Sequence, residues 1–276
     1  MKIIRSKKLL ILIVLFGLIN ITVSCQQPSK NDDTNKSDDN KNDDDTNRDD
    51  ALNKYSDEDI IFKVITKLND KRNYLVTAKG VTSAKLGFIN YEQNTKTSLY
   101  AMDDVFYNDI SSESTIVSHY HKLLSDGDSI KYYDSDNKKY IECTKDEYKN
   151  LYGRIPNYQN VFNYDITKDD IISTSRSKTD KTYIISYVLE PMKVSCDLRK
   201  QMVMFGALDK EPVFTYIELK IFIDEEFNIT AFENIEKYKI VKTVLGIKNT
   251  MECTQKLNST IIYDNYELPN LNDFNM

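Results

Sequence analysis

The stretch from Val213 to Ile240 places the strongest constraint on the fold of this chain. It opens with VFTYIELKIFID, in which Val213 and the isoleucines alternate with residues such as Phe214. This period of two predicts a strand that buries Val213, Ile217, Leu219, Ile221 and Ile223 and turns Phe214 away. A polar turn, Asp224-Glu225-Glu226, follows, and a second β-rich run starts at Phe227. We therefore predict a long antiparallel hairpin within a large curved sheet.

Helices are predicted at three places. Ser56 is a good N-cap before three acidic residues, and the apolar stripe that follows indicates a helix of about 14 residues. Asp146 to Tyr152 reads as a short helix. Ser195 to Phe205 reads as another, with Leu198, Met202 and Phe205 on one face and Gly206 after it.

The rest of the pattern predicts strands. Alternating or β-branched runs place them at Tyr74–Ala78, Ala84–Asn90, Thr97–Met102, Thr115–Leu124, Ser129–Tyr133, Lys139–Cys143, Thr182–Leu189 and Lys256–Tyr263, with Ile171-Ile172 in a further one. This order predicts an α+β fold that is mostly antiparallel: a curved, open half-barrel sheet plugged by amphipathic helices.

The first 52 residues read as targeting sequence rather than fold. A basic head is followed by the apolar run Leu9–Ile19, which is shorter than the roughly 20 residues of a spanning helix. The run ends in ITVSC, which resembles the bacterial lipoprotein box, in which the cysteine is diacylglycerated and the chain is cut before it. The resemblance implies a signal peptide at residues 1–24 and a lipid anchor such as palmitate on Cys25. The alternative is an ordinary secretory signal with an incidental cysteine.

A low-complexity segment follows this signal. Residues 26–52 hold nine Asp against four basic residues and have no apolar residue before Ala51. Such a composition cannot offset the entropy of ordering, so we expect residues 25–52 to form a disordered tether and residues 53–276 one β-rich domain. Residues 1–24 carry four of the positive charges, so the net charge of −6 becomes −10 without them. This acidic balance argues against a nucleic-acid partner.

Chemistry-bearing motifs are sparse. His119 and His121 form an HxH pair that can ligate zinc, but no third ligand stands out, and two residues on a solvated strand face explain them as well. Cys143, Cys196 and Cys253 permit one disulfide with a free thiol, or three buried thiols, which we slightly favour. The nucleophile, zinc-protease, phosphate-loop and C-x-x-C signatures are absent. We predict no enzymatic activity, no metal and no cofactor.

The element order carries a second resemblance. The lead helix, the LSDGDSIKYY turn that begins at Leu124, and the strand–helix–strand–strand order from Ile184 to Tyr238 resemble the LolA-like fold of lipoprotein carriers and related lipoproteins. That resemblance implies a half-barrel around an apolar cavity that receives acyl chains or lipids. In some members it implies binding of a protein partner.

Two functions are therefore expected as alternatives. The first is a membrane-anchored, extracytoplasmic lipoprotein of the cell envelope that binds an apolar ligand, a lipid or acyl chain. Its cavity would be lined by the inward-facing residues Ile185, Tyr187, Ile217, Leu219, Ile221, Leu198 and Met202. The second is a surface scaffold that positions a partner protein, such as a cell-wall enzyme, through an exposed apolar patch or an open sheet edge.

Overall fold

The computed structural model describes residues 52–114, 118–134, 138–152, 161–162, 164–179, 181–206, 208–244 and 246–274. The expected signal peptide, Cys25 and almost all of the expected tether lie outside these residues. The helices are α1 (Asp57–Lys71), α2 (Lys145–Tyr152), α3 (Pro191–Val194) and α4 (Cys196–Gly206). The strands are β1 (Asn73–Leu86), β2 (Ile89–Met102), β3 (Val105–Ser114), β4 (Ser118–Asp126), β5 (Ser129–Asp134), β6 (Lys139–Thr144), β7 (Ile171–Thr179), β8 (Thr182–Leu189), β9 (Val213–Ile223), β10 (Ile229–Val244) and β11 (Ile247–Ile262).

All described strands form one antiparallel sheet with the order β6-β5-β4-β3-β2-β1-β11-β10-β9-β8-β7. Two meandering arms meet where β1 pairs with β11, for example at Ala78 and Ser259. The sheet stays open, with β6 and β7 as its edges. The expected α+β class, with a curved open sheet and a few helices, is confirmed.

Helix α1 starts where the sequence predicts. The Ser56 hydroxyl accepts a hydrogen bond from the Asp59 backbone N–H at 3.2 Å, which caps the first turn. Ile60, Ile61, Val64 and Leu68 are buried and belong to the same core cluster as the inward side chains of the sheet. At the other end Arg72 adopts a left-handed conformation with φ of 51°, and β1 follows at once. The helix is thus held against the concave face of the sheet.

The predicted hairpin forms between β9 and β10. Its turn is built by Asp224, whose side chain accepts hydrogen bonds from the backbone N–H groups of Glu226 at 2.9 Å and Asn228 at 2.8 Å. One assignment of faces is wrong, because Val213 is exposed and Phe214 is buried. The register shifts between Lys237 and Tyr238, so Thr215 is an extra residue and every position before it changes face.

Several strand boundaries also differ from the prediction. β1 runs unbroken to Leu86, and the chain turns at Gly87 (φ of 59°) inside the predicted strand Ala84–Asn90. β3 was not predicted, since VFYNDISSES carries polar residues on both faces. β11 begins at Ile247 rather than Lys256 for the same reason. The start of the predicted strand at Thr115 lies outside the described residues.

The remaining helices lie at the flanks of the shell. α3 packs on β9, whereas α2 packs on β5, β6 and α4. Phe162 crosses the concave face and makes an edge-on contact with Phe232 of β10, with ring centroids 5.1 Å apart. Among the described residues, no helix combines the length and the apolar character that crossing a membrane requires.

Candidate functional site

The seven side chains predicted to line a cavity all point inward and are buried. Ile185 and Tyr187 of β8 stand opposite Ile221 and Leu219 of β9, and Leu189 stands opposite Ile217. Leu198 and Met202 come from α4, while the side chain of Phe205 lies outside the described part of the chain. All seven belong to one core cluster together with the apolar stripe of α1.

Tyr187 also ties the sheet to α1. Its hydroxyl donates a 2.8 Å hydrogen bond to the backbone carbonyl of Asp57 in the first helical turn. Burial raises the pKa of this phenol well above its ordinary value, with the nearby Asp57 carboxylate acting in the same direction. The hydroxyl is therefore a neutral structural donor, and it fixes the helix over the apolar part of the concave face.

The centre of the same concave face is polar. Ten inward side chains of five neighbouring strands are polar and buried, and we call them the polar band: Asn108 and Ser112 of β3, Gln93, Thr95 and Thr97 of β2, Thr82 of β1, Gln255 and Ser259 of β11, and Asn234 and Glu236 of β10. Thr82 pairs with both Gln93 and Gln255, and Gln255 pairs with Glu236. One row of four polar residues thus crosses four adjacent strands inside the shell.

Some of the polar band is satisfied internally. The Gln93 side-chain N–H donates to the Ser112 hydroxyl at 2.9 Å, and the Thr82 hydroxyl donates to Gln255 Oε1 at 3.5 Å. Five buried oxygen atoms of the band have no hydrogen-bond partner within the described chain: Gln93 Oε1, Thr97 Oγ1, Asn108 Oδ1, Asn234 Oδ1 and Ser259 Oγ. Buried polar atoms nearly always have a hydrogen-bond partner. The five unpaired oxygen atoms therefore mark the polar band as the part of the interior whose hydrogen bonds the described chain does not complete.

Three buried residues that hydrogen-bond to one another, Tyr164, Asn234 and Glu236, lie at the β10 side of the polar band. The Tyr164 hydroxyl donates to the Glu236 carboxylate, and the Asn234 Nδ2 group donates to Glu236 Oε1 at 2.9 Å and lies 2.5 Å from the Tyr164 oxygen. Burial raises the pKa of Glu236, and the two donors only partly offset this effect. Glu236 is the only ionisable side chain of the band, and its environment favours the neutral acid.

A separate open cleft lies on the outer side of α1. Its volume is about 910 Å³, and it is lined by Lys54, Tyr55, Asp59, Phe62, Lys63, Thr66, Lys67, Asp70, Glu226 and Phe227. The ammonium group of Lys63 lies 4.4 Å from the centre of the Tyr55 ring, and Lys67 donates to the Glu226 carbonyl. None of the seven predicted cavity residues lines this cleft.

The histidine pair is only partly as expected. His121 pairs with Ile110 and faces the concave side rather than the solvated one, and burial lowers its pKa to about 4. It is therefore neutral near pH 7. The side chain of His119 lies outside the described ones. Within the described part of the chain, no group of three or more His, Cys, Asp or Glu residues is placed to hold a metal ion.

The three described cysteines are free thiols. Cys253 is buried on the concave face, and burial raises its pKa to about 12. Burial also raises the pKa of Cys143, and the carboxylates of Glu147 and Glu142 add to the effect. Both thiols are therefore poor nucleophiles near neutral pH.

Sequence reasoning identified the apolar part of the concave face and missed the polar band. A signal was present, because Gln93, Thr95 and Thr97 occupy alternate positions of one strand. Residues of these types usually face solvent, so the alternation gives no hint of burial. Only the pairing of β2 with β1 and β3 shows that they turn inward.

Comparison with known proteins gives a distant likeness in fold. No family profile matches the sequence, and no curated protein matches it significantly. Similar solved structures include a DUF1329 family protein from Desulfovibrio piger, with a TM-score of 0.32, 11% identity, and coverage of 79% of this chain and 97% of that one. A LolA superfamily protein from Nitrosomonas europaea has a TM-score of 0.28, 6% identity, and coverage of 75% and 94%.

A lipoprotein-sorting protein domain of the outer membrane from Vibrio parahaemolyticus is similar to the same degree. Its TM-score is 0.28 at 10% identity, with coverage of 77% of this chain and 95% of that one. The neighbours in fold thus include LolA-superfamily proteins.

Proposed function

We propose that this protein is a membrane-anchored, extracytoplasmic lipoprotein that binds an apolar ligand, a lipid or acyl chain, inside its half-barrel. The observation that carries the proposal is the incomplete interior of the shell. Apolar side chains line the concave face at one flank, whereas buried oxygen atoms at its centre have no partner. Buried oxygen atoms without a hydrogen-bond partner in the described chain are expected in a protein whose interior holds a bound ligand.

The packing of the helices supports this proposal. The main helix contacts of the described chain fall on β5, β6, β7 and β9, which are flanks of the shell. Two of the strands between these flanks, β1 and β2, carry the small inward residues Ala78, Ala84 and Ala101. A chain of methylene groups bound against these strands would gain about 0.8 kcal/mol per buried CH₂.

The anchor is proposed from sequence, through Cys25 after its apolar run. It is tested by metabolic labelling with an alkyne analogue of palmitate. We expect label in the wild-type protein and none in Cys25→Ser, with Cys196→Ser as the matched control that keeps its label. Equal labelling of wild type and Cys25→Ser would contradict the anchor without touching the proposed ligand.

Ligand binding is tested with cis-parinaric acid, a fluorescent fatty acid. We expect saturable binding to the purified protein, and native mass spectrometry of the protein taken from membranes should show retained lipid. Leu219→Phe extends an inward side chain, and Leu219 is one of the seven predicted cavity residues. If it borders a void, the variant folds and binds less cis-parinaric acid. A loss of several kcal/mol of stability would instead show overpacking of a filled core and contradict the void at this position.

One observation favours the alternative function, a scaffold that positions a partner protein. Phe88 in the β1–β2 turn is exposed, and so are Ile89 and Ile247, the first residues of β2 and β11. The β1–β2 and β10–β11 turns lie at one end of the sheet, because Lys85 pairs with Glu252 and the β10–β11 hairpin extends beyond this pair. Apolar side chains at two adjacent hairpin tips are a candidate contact surface.

This alternative is tested by photocrosslinking in cells from a benzoylphenylalanine placed at position 88. Position 181 lies in the β7–β8 turn at the opposite end of the sheet and serves as the control. A discrete protein adduct from position 88 alone supports a partner. Equal adducts or none from both positions count against it.

A further inference from the structure

A row of three residues at the middle of the concave face is arranged to receive a polar group. Ala78 of β1 pairs with Thr97 of β2 on one side and with Ser259 of β11 on the other. Neighbouring strands lie about 4.8 Å apart, so the two hydroxyl-bearing residues are about 10 Å apart across the alanine. The methyl group of Ala78 is the only side chain between them. The row therefore forms a shallow seat with a hydroxyl at each side.

Both hydroxyls of this seat are buried without a partner. Thr97 is 5% exposed and Ser259 is 4% exposed, and neither Thr97 Oγ1 nor Ser259 Oγ makes a hydrogen bond within the described chain. A further unpartnered oxygen, Asn108 Oδ1, belongs to β3 in the adjoining row, opposite Leu99 and two residues from the partner of Thr97. Hydroxyls can donate or accept, but amide oxygens only accept. A guest that satisfies this set must supply O–H or N–H groups.

The charge of the polar band further restricts which ligands can bind. The band contains no lysine or arginine, so it offers no cation to a phosphate or carboxylate. Its one acid, Glu236, already accepts hydrogen bonds from Tyr164 and Asn234, and it stands opposite Gln255, four residues along β11 from Ser259. A charged guest would lose its hydration without a compensating ion pair. The seat is therefore suited to a neutral group.

Apolar residues border the seat along the strands. Val76 of β1 pairs with Leu99 of β2 and with Ile261 of β11, one row beyond Ala78, and all three belong to the core cluster. A polar seat that continues into an apolar row matches a molecule with one polar end and one apolar end.

We propose that the half-barrel selects an amphiphile with a neutral, hydroxyl- or amide-bearing head group, which lies over Ala78 between Thr97 and Ser259. The acyl chain continues over Val76, Leu99 and Ile261. This inference rests on the proposed binding of an apolar ligand and adds the chemistry of its head group, which distinguishes it from a free fatty acid or a phospholipid.

The experiment compares two probes that share one acyl chain. 1-Monooleoylglycerol carries two hydroxyls, and methyl oleate carries none; each is titrated against cis-parinaric acid bound to the purified full chain. Two new hydrogen bonds to buried groups correspond to about a tenfold gain in affinity. We expect 1-monooleoylglycerol to bind about tenfold more tightly than methyl oleate in the wild type.

Thr97→Val with Ser259→Ala removes both hydroxyls at nearly constant shape. The matched control is Ser98→Ala with Thr260→Val, because these are the neighbouring residues on the opposite face of the same strands. We expect the double variant at the seat to lose the preference for 1-monooleoylglycerol while its affinity for methyl oleate stays unchanged. The control variant should keep both affinities.

Each result separates the inference from the function on which it rests. Equal affinities in the wild type, or a preference that survives in Thr97→Val with Ser259→Ala, overturn the head-group seat and leave ligand binding standing; water alone then fills the seat. Failure of both probes to displace cis-parinaric acid, or of cis-parinaric acid to bind, overturns both proposals.

A second variant tests the seat if Thr97→Val with Ser259→Ala does not fold. Ala78→Val keeps a β-compatible residue and places two extra methyl groups in the seat. We expect it to lower the affinity for 1-monooleoylglycerol more than that for methyl oleate. An equal reduction for both probes would also overturn the seat.

Discussion

Arg176 of β7 forms an ion pair with Asp57 in the first turn of α1. Its Nε and Nη2 atoms lie 2.6 Å and 2.5 Å from the same carboxylate oxygen, and Nη2 also donates to the backbone carbonyl of Tyr55 at 3.0 Å. Both side chains are largely shielded from solvent, with exposures of 23% and 16%. One residue of an edge strand thus fixes the point at which the chain enters the domain.

Replacement of Arg176 is expected to loosen this point of entry. Arg176→Met removes the bonds to Asp57 and Tyr55 and leaves a shielded carboxylate without its cation, so we expect a loss of about 1–3 kcal/mol in the free energy of unfolding. Lys181→Met, an exposed lysine in the following turn, is the control. Urea denaturation measures both variants. A loss in the free energy of unfolding of Arg176→Met no larger than that of the control would contradict a stabilising role for this ion pair.

The raised pKa of Glu236 predicts a pH dependence of stability. The folded protein holds a proton on this acid at pH values where the unfolded chain, with a pKa near 4.3, has lost it. The stabilisation by the neutral acid is therefore present below about pH 4.3 and is lost as the pH rises through the folded pKa.

Glu236→Gln removes this titration and keeps an oxygen for Tyr164. We expect the variant to gain stability relative to the wild type as the pH rises from about 4.3 through the folded pKa, by up to about 1.4 kcal/mol per pH unit inside this window. Glu233→Gln, on the opposite face of β10 and paired with Lys220, is the control. Parallel stability curves for the wild type and Glu236→Gln would show that the acid is not held neutral.

The buried thiol of Cys253 is expected to resist alkylation. Its pKa of about 12 leaves very little thiolate at pH 8, and the side chain is 3% exposed. Iodoacetamide labelling, followed by peptide mass spectrometry, should show modification at least about a hundredfold slower than in guanidinium chloride. Rapid labelling of Cys253 in the folded protein would mean that β11 opens readily or that the thiol faces an accessible space.

The cap of α1 predicts a smaller effect. Ser56→Ala removes the acceptor for the Asp59 N–H group, and loss of such a cap costs about 0.5–2 kcal/mol. Ser83→Ala, at an exposed outward position of β1, is the control and should change stability by less than about 0.5 kcal/mol. Thermal unfolding followed by circular dichroism compares the two. Equal midpoints would indicate that the packing of α1 alone sets where the helix begins.

The sequence was informative wherever one face of an element is apolar. The stripe of α1 and the alternation of β8 and β9 identified both elements, because burial against a single core imposes a period. β3 and the first half of β11 were missed for the opposite reason. On the inward face of β3, Asn108 and Ser112 alternate with Phe106 and Ile110. On that of β11, Gln255 follows Met251 and Cys253, so no continuous apolar face stands out in either segment.

The same limit applies to the candidate site. The seven predicted residues are inward and buried, because apolar alternation predicts burial well. The seat at Ala78 depends on the lateral pairing of three strands that are far apart in the chain, and no local pattern encodes that pairing. The bulge at Thr215, which exchanges the inward and outward faces of β9, could not be predicted either, because a bulge is defined by the pairing with the partner strand.

The pairing of β1 with β11 has a consequence for biosynthesis. The first strand of the domain finds one of its two neighbours only after the last strand has left the ribosome, although each arm can form from local hairpins. Closure of this long-range seam carries most of the loop entropy of the fold, so it is expected to be the slow step of folding. A nascent chain that stops before residue 247 would expose the edges of β1 and β10 that pair with β11, which makes premature termination a route to aggregation.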